Sequence, residues 1–461
     1  MRSGSPPAYS VPPCTVSLLV RASPHIWENA GRVVLLSLLS SYEATREALR
    51  LVIAKSRRVR LGLCAIVAAM ALTAGCSQDV RVRDSADVNK VPVPVHTTTV
   101  EHWGTFFGDT KVLDQAMSPV TMTLPGTVAE VGSSNSTEYA LLTDGRLYAW
   151  GLGTEGELGD GGHSNSFSTP VQVEFPRGVK IWSIPTDAMP FDTGLAIDTS
   201  GRVWGWGDNY GDELCLGNRR SYAKPVQLPL THVTSAAGAN NHALYDAGGV
   251  VYACGWNADG DLGTGSWRNT DKPAPVVGLD GSKVVALVAS FANSGALMSN
   301  GQYFDWGYDG AGQLGDGSLG KQSDVPVLVH LPAKVRQVAQ GGSLWDNGQT
   351  LVLLSDGSLW AWGDSHACQV AVARQSVPSP VRLDGPDATY VGLATGSATS
   401  YAVTSTGAVY AWGVSHVGQV GNGLGSTVCT PVKVTSGGTL ISSTANNVVV
   451  SIPGAKTTPA P

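Results

Sequence analysis

The feature that most constrains this chain of 461 residues is a two-part pattern that occurs seven times from residue 103 onwards. Each copy begins with a Trp-Gly pair, replaced once by Cys254-Gly255, and continues 15 to 20 residues later with Pro-Val. The glycines of the pair are Gly104, Gly151, Gly207, Gly255, Gly307, Gly363 and Gly413, and the prolines are Pro119, Pro170, Pro225, Pro275, Pro326, Pro380 and Pro431. A repeat of about 50 residues indicates one structural unit used seven times in a single array.

The residues before each Trp-Gly pair predict β-strands. Segments such as EYALLTDGRLYAWG and LVLLSDGSLWAWG are rich in strand-forming residues and are centred on Asp-Gly or a similar dipeptide, which supplies the positive φ of a tight hairpin turn. The Pro-Val segment suits an edge strand, because a missing N–H there breaks no ladder. Glycine is frequent (56 residues), and no long amphipathic helical pattern follows residue 100. Four short strands in each of seven repeats predict an all-β fold, a seven-bladed β-propeller.

The two ends of the repeat region predict how the ring closes. Segment 97–124 contains only the second half of a repeat, and TLISSTANNVVVSI, residues 439–452, contains only the first half. We expect the two segments to pair as a shared seventh blade, since this arrangement leaves no sheet edge exposed.

The loop after the Trp-Gly pair follows a rule of its own. Counting from the glycine of the pair as zero, position +6 is acidic or Gln, position +7 is Leu or Val, and position +8 is small. The +6 residues are Glu157, Glu213, Asp261, Gln313, Gln369 and Gln419. A role present in every complete repeat fits architecture better than a single active site, so we expect the +6 side chain to tie the loop to backbone N–H groups. A phosphate-binding P-loop is excluded, because no Gly-Lys-Ser/Thr follows.

Two of these stretches, DGRLYAWGLGTEGELGDG and NGQYFDWGYDGAGQLGDG, closely resemble the repeats of the regulator of chromosome condensation family. With the other copies, the resemblance covers residues 100–452. It implies a seven-bladed propeller.

Residues 57–76, RRVRLGLCAIVAAMALTAGC, have the basic start, short apolar stretch and small-residue end of a signal peptide. The ending LTAGC resembles a bacterial lipoprotein signal, with Cys76 as the lipid attachment residue; the alternative is an ordinary secretory signal that contains a cysteine. We therefore expect an exported protein, either anchored to the outer face of the cytoplasmic membrane or secreted. Residues 1–56 are then an over-extended start or a genuine extension, 77–98 an extended tether, 99–453 the propeller and 454–461 a disordered tail.

Charge and motif spacing narrow the function. Outside residues 1–76 the chain has 21 basic and 33 acidic residues, and such an acidic surface disfavours nucleic acid. The histidines are scattered, and the acidic stretches NADGDLGTG and YDGAGQLGDG lack the full ligand set of a calcium loop. We predict no catalytic residues, no metal site and no cofactor.

Four cysteines remain outside the leader and signal: Cys215, Cys254, Cys368 and Cys429. An even number in an exported protein indicates two disulfides, with three possible connectivities. We favour the pairs from neighbouring blades, Cys215–Cys254 and Cys368–Cys429. The alternative for Cys254 is simple burial at a tryptophan position.

Positions that vary between repeats are the candidates for binding. Position +3 is occupied by Phe107, Thr154, Tyr210, Ala258, Gly310, His366 and His416, and equivalent blades would place these residues in a ring on one face. Trp267 and Trp345 are further large apolar residues in expected loops. Aromatic residues and histidine suit a protein-binding surface, whereas the alternative for each is that it covers its own blade. The predicted partner-binding residues are Phe107, Thr154, Tyr210, Trp267, Trp345, His366 and His416.

The function that we predict is that of a non-enzymatic, monomeric propeller of the cell envelope, which binds a protein or another envelope macromolecule and contacts the membrane only through its lipid. A narrower version is an inhibitor of a cell-wall enzyme or a β-lactamase, by analogy with an exported bacterial propeller of similar repeats. One alternative is a glycan-acting enzyme with carboxylates near the axis. Guanine-nucleotide exchange, the activity of the eukaryotic namesake, is disfavoured by the expected export and by the lack of basic tails.

Overall fold

The computed structural model describes residues 98–108, 111–187, 189–239, 241–279, 283–343, 348–386 and 389–452. These residues form 28 strands in seven antiparallel four-stranded sheets. They include no helix, and therefore none that is long and apolar enough to cross a membrane. The structure is the predicted all-β, seven-bladed propeller. The leader, the signal segment with Cys76, the tether up to residue 97 and the tail lie outside the described residues.

The strands follow the chain blade by blade. β1 (Thr98–Gly108) and β2 (Lys111–Leu124) belong to the closing blade, and blade 1 contains β3 (Val128–Ser133), β4 (Thr137–Leu142), β5 (Leu147–Gly151) and β6 (Ser166–Gln172). Blade 2 contains β7 (Ile181–Ser183), β8 (Thr193–Asp198), β9 (Val203–Gly207) and β10 (Tyr222–Gln227), and blade 3 contains β11 (Val233–Ala239), β12 (His242–Ala247), β13 (Val250–Gly255) and β14 (Thr270–Pro275). Blade 4 contains β15 (Val284–Ala289), β16 (Asn293–Met298), β17 (Tyr303–Gly307) and β18 (Ser323–Leu328). Blade 5 contains β19 (Val335–Gly341), β20 (Gln349–Leu354), β21 (Leu359–Asp364) and β22 (Ser376–Arg382), and blade 6 contains β23 (Tyr390–Thr395), β24 (Thr399–Thr404), β25 (Val409–Gly413) and β26 (Val428–Thr435).

The closing blade combines both ends of the repeat region, as predicted. β27 (Leu440–Thr444) and β28 (Asn447–Ile452) supply its first two strands, and β1 and β2 supply the others, in the order β2-β1-β28-β27. β28 pairs with β1 from Ile452 opposite Thr99 to Asn447 opposite Gly104. The pairing joins segments more than 300 residues apart and closes the ring.

The first strand of each blade lies nearest the axis, since successive first strands contact one another around the ring. The fourth strand is outermost and contains the proline of the Pro-Val motif in every blade, which confirms the edge-strand prediction. Hairpins between the second and third strands use the predicted turn chemistry. Gly357, for example, has a φ of +86° and donates its N–H to the carbonyl of Leu354 at 3.0 Å.

The tryptophans of the repeats join neighbouring blades. Trp103, Trp150, Trp206, Trp306, Trp362 and Trp412 are almost completely buried. In five of them the indole N–H donates to the carbonyl of the +6 residue in the preceding blade, as from Trp206 to Glu157 at 2.8 Å. Trp150 instead donates to the Glu138 carboxylate at 2.6 Å. The blade before it is the closing blade, where only two residues separate β1 from β2, so that no long loop offers a carbonyl.

Candidate partner-binding face

One face of the disc is built from the loops that join the third strand of each blade to its fourth. These loops emerge on the same side because every blade has the same strand order around the axis. In blades 1 to 6 they are residues 152–165, 208–221, 256–269, 308–322, 365–375 and 414–427. We call this side the loop face.

The +6 side chain holds each of these loops in shape. The N–H of Glu155 donates to Glu157 Oε2 at 2.8 Å, and the N–H of Ala311 donates to Gln313 Oε1 at 2.8 Å. Equivalent bonds occur at Gln369 and Gln419, as the loop rule predicted. A second anchor at position +2 was missed by the sequence reading, although the repeated polar residue there could have revealed it. Asn257 Oδ1, for example, accepts the N–H of Leu262 at 2.9 Å.

Two of the +6 anchors are buried glutamates. Burial raises the pKa of Glu157 and of Glu213 to about 8. A nearby Asp192 charge raises the pKa of Glu157 further, while the hydroxyl of Thr193 donates to Glu213 and lowers its pKa. The same position in blades 4, 5 and 6 is a neutral glutamine, which shows that the loop needs the oxygen acceptor and not its charge.

The described +3 candidates are all on the surface of the loop face. Thr154, Tyr210, His366 and His416 are exposed, whereas the side chain of Phe107 and the whole of Trp345 lie outside the described part of the chain. His366 donates or accepts through Nδ1 with Asp364 Oδ2 at 2.8 Å, which fixes the ring beside its own blade. Trp267 is 47% exposed. It occupies position +12 of its loop, as Arg219 does in the preceding blade.

The structure brings one candidate, Tyr210, into contact with two residues that the sequence reading did not select. The Tyr210 and Trp256 rings meet edge to face with centroids 5.9 Å apart, and the Arg219 guanidinium lies 5.8 Å from the Tyr210 centroid. Tyr210 remains 58% exposed and Trp256 36% exposed. We call these three residues the aromatic stripe. Trp256 stands at position +1, so a comparison of that position as well as +3 would have found it.

The aromatic stripe is held by covalent and ionic contacts from below. Cys215 of the loop that contains Tyr210 forms a disulfide with Cys254, two residues before Trp256, and the Cα atoms are 5.6 Å apart. Arg219 Nε donates to Asp212 Oδ2 at 2.8 Å, which fixes the guanidinium against the Tyr210 ring. Blades 2 and 3 thus present the stripe on a rigid base. A second disulfide, Cys368–Cys429, links blades 5 and 6.

The described residues contain no group of three His, Cys, Asp or Glu side chains that could hold a metal ion. The chemistry of the loop face is therefore that of contact: aromatic surface, an arginine and scattered polar groups. These are the residue types enriched where proteins bind one another. The fold and the face define a propeller whose repeated residues build a rigid ring and whose variable loops are free to differ.

Comparison with known proteins shows which repeat this is. The family model for the regulator of chromosome condensation (RCC1) repeat matches residues 144–184, 200–245 and 248–293. The chain is thus a seven-bladed propeller built from RCC1 repeats.

Several known proteins share this repeat. The chain is 30% identical over 283 residues to the ultraviolet-B receptor UVR8 of Arabidopsis thaliana (60% of this chain, 62% of the receptor), and 30% identical over 247 residues to the mitochondrial RCC1 domain-containing protein RUG3 of the same plant (50% and 53%). It spans less than two thirds of either relative. Human WBSCR16 has the same fold with a TM-score of 0.67 and 20% identity (77% of this chain, 99% of that chain), as does Prp20p of Saccharomyces cerevisiae with a TM-score of 0.66 and 20% identity (79% and 93%).

Proposed function

We propose that this propeller is a non-enzymatic binding protein whose loop face, centred on the aromatic stripe, docks a folded protein partner. The observation that carries the proposal is the contact of Tyr210 with Trp256, two large rings that remain substantially exposed across a blade boundary. Tryptophan, tyrosine and arginine dominate the energetic centres of protein interfaces.

Rigidity supports the same proposal. A surface that is already ordered loses little conformational entropy when a partner binds, so more of the contact energy contributes to affinity. The Cys215–Cys254 disulfide and the Asp212–Arg219 ion pair order the stripe in the free protein. Similar propellers are described with protein partners: Prp20p with binding properties to Gsp1p and histones, and in a complex with Kap60.

We further propose that the protein is exported and works in the cell envelope, with Cys76 as its lipid attachment residue. The signal-like segment 57–76 motivates this location. Two disulfides between blades suit an oxidising compartment. A cell-wall enzyme or a β-lactamase is the narrower class of partner, and inhibition would follow if the stripe covered its active site.

The glycan-acting alternative has less support. It requires two carboxylates near the axis, and Glu130 and Asp187 do line an axial cavity. However, both oxygens of Glu130 are occupied, by the N–H of Ile184 at 2.8 Å and the hydroxyl of Ser183 at 3.3 Å. This carboxylate is a structural brace and is poorly placed for acid–base chemistry.

Crosslinking in envelope extracts tests the proposed surface. The wild type, a Tyr210→Ala/Trp256→Ala variant and a Leu424→Ala control are compared, since Leu424 is 59% exposed in the loop of blade 6 on the same face. We expect one or more reproducible protein adducts that the double variant loses and the control keeps. Adducts retained by the double variant with a native melting curve would place the binding surface elsewhere, and no reproducible adduct would count against a protein partner.

Fatty-acid labelling tests the location independently. Wild type should incorporate the label and Cys76→Ala should not, and globomycin should block processing of the wild type. A labelled Cys76→Ala variant, or a wild type retained in the cytosol without processing, would overturn the envelope proposal.

A further inference from the structure

The axis of the ring contains a cavity of about 400 Å³. First-strand residues of blades 1, 3, 4 and 5 line its walls, among them Glu130, Thr234, Val285 and Arg336. All four stand near the beginning of their strands, so the cavity lies toward the side opposite the loop face. Val285 is 54% exposed, which shows that solvent reaches this end.

The other end of the cavity is bounded by a segment of blade 2 that departs from the repeat. β7 has only three residues, and the chain that follows it crosses the axis instead of continuing the strand. The N–H of Met189 donates to the carbonyl of Ser133 in blade 1 at 3.1 Å. Asp187 Oδ1 accepts the N–H of Gln340 in blade 5 at 3.3 Å. The crossing segment therefore places the Asp187 carboxylate at the inner end of the cavity.

The Asp187 carboxylate is only half satisfied. Its Oδ2 atom is buried and has no hydrogen-bond partner, and burial raises the pKa of the group. None of the ion pairs formed within the described ranges involves Asp187. A buried carboxylate oxygen without a partner is costly, and a cation is the partner that offsets the cost best.

The walls around this carboxylate are mainly hydrocarbon. Leu287, Val288 and Leu297 contribute to the lining between Asp187 and the open end. Arg336, at the second position of β19, and Gln340, at the sixth, are four residues apart, which corresponds to roughly 13 Å along a strand. The depth and the apolar walls suit an extended alkyl chain, and the low local polarity strengthens a charge contact at its end.

We propose that the axial cavity binds an alkylammonium group, with the ammonium against Asp187 and the alkyl chain against the apolar first-strand residues. The amine can come from a free small molecule or from a lysine side chain of an extended peptide. The chemistry of recognition is the same in both cases. The site is separate from the loop face and does not depend on the protein-binding proposal.

Titration calorimetry on the purified full chain with 1-aminopentane, and with 1-pentanol as the uncharged analogue, tests this site. We expect saturable one-site binding of the amine and at least about tenfold weaker binding of the alcohol, since a hydrogen bond to a charged group supplies that difference. Asp187→Asn keeps the acceptor for the Gln340 N–H and removes the charge, so it should weaken amine binding by a similar factor. Asp356→Asn, in an exposed hairpin of blade 5, should leave it unchanged.

A second variant keeps the test valid if Asp187→Asn fails to fold. Val285→Trp fills the open end without touching Asp187, and its exposed position should tolerate the larger side chain, so we expect it to abolish binding while the melting curve stays native. Nα-acetyl-lysine methylamide as a second ligand distinguishes the two sources, because a lysine side chain that belongs to a peptide should bind at least as well as the free amine. Equal affinity for amine and alcohol, or full affinity in either folded variant, would overturn the proposal.

Discussion

Cys254 stands where the other six blades have tryptophan, and its sulfur is bonded to Cys215 of the preceding blade. In four of the six complete loops the residue equivalent to Cys215 is glycine. A Cβ on Gly263 would lie only 2.7 Å from Trp306 Nε1, and one on Gly315 would lie 2.7 Å from Trp362 Nε1. The glycine therefore leaves room for the next indole. Between blades 2 and 3, a Gly–Trp contact is replaced by a Cys–Cys bond.

This exchange predicts that the two positions must change together. Under reducing conditions, Cys254→Trp alone should destabilise the protein by about 1–3 kcal/mol, because the indole meets the Cys215 side chain. Adding Cys215→Gly should recover most of the loss, since the indole N–H can then reach the carbonyl of Glu213 as in other blades. Urea unfolding measures both, with Cys215→Gly alone as the control. A double variant no more stable than Cys254→Trp would contradict the proposed coupling.

The glutamate anchors predict a fall in stability at alkaline pH. Burial raises the folded-state pKa of Glu157 and Glu213 to about 8, well above the ordinary value of 4.5. The folded state then holds more protons than the unfolded state between these values, so stability decreases as pH rises from 4.5 to 8 and levels off above. Glu157→Gln/Glu213→Gln should flatten this fall by an amount on the order of 2 kcal/mol.

The reverse substitution provides the matched control for this prediction. Gln313→Glu places a carboxyl at the same position of blade 4 and should steepen the loss of stability over the same pH range. Unfolding free energies at pH 5, 7 and 9 give the comparison. Parallel curves for the wild type and the glutamine variant would mean that these carboxyls ionise normally in the folded protein.

The closing blade predicts a sharp effect of C-terminal truncation. Removal of residues 439–452 deletes β27 and β28 and exposes the β1 edge from Thr99 to Gly104, which offers unpaired backbone groups to other chains. We expect aggregation and loss of cooperative unfolding, measured by light scattering and thermal denaturation. A chain that ends at residue 453 keeps both strands and serves as the control. A soluble, cooperatively unfolding truncation without the two strands would show that the ring does not need this closure.

Much of this protein was determined by its sequence alone, because the signals are local or repeated. The count of seven blades, the Asp-Gly hairpins, the buried tryptophans and the outer-strand prolines all depend on residues within one repeat or at a fixed distance in the next. The anchoring role of Gln313 followed from the same regularity. Exposure of Tyr210 at a variable position was predictable for the same reason.

Only the tertiary structure decided what happens where repeats differ or meet. The contact of Tyr210 with Trp256 depends on how two unlike loops lie across a blade boundary. The bond of Asp187 to Gln340 joins positions 153 residues apart across the axis, and it exists only because β7 ends early and the ring is closed. A periodic pattern specifies the unit and its neighbours; a contact through the centre depends on the geometry of the completed ring, which no single repeat contains.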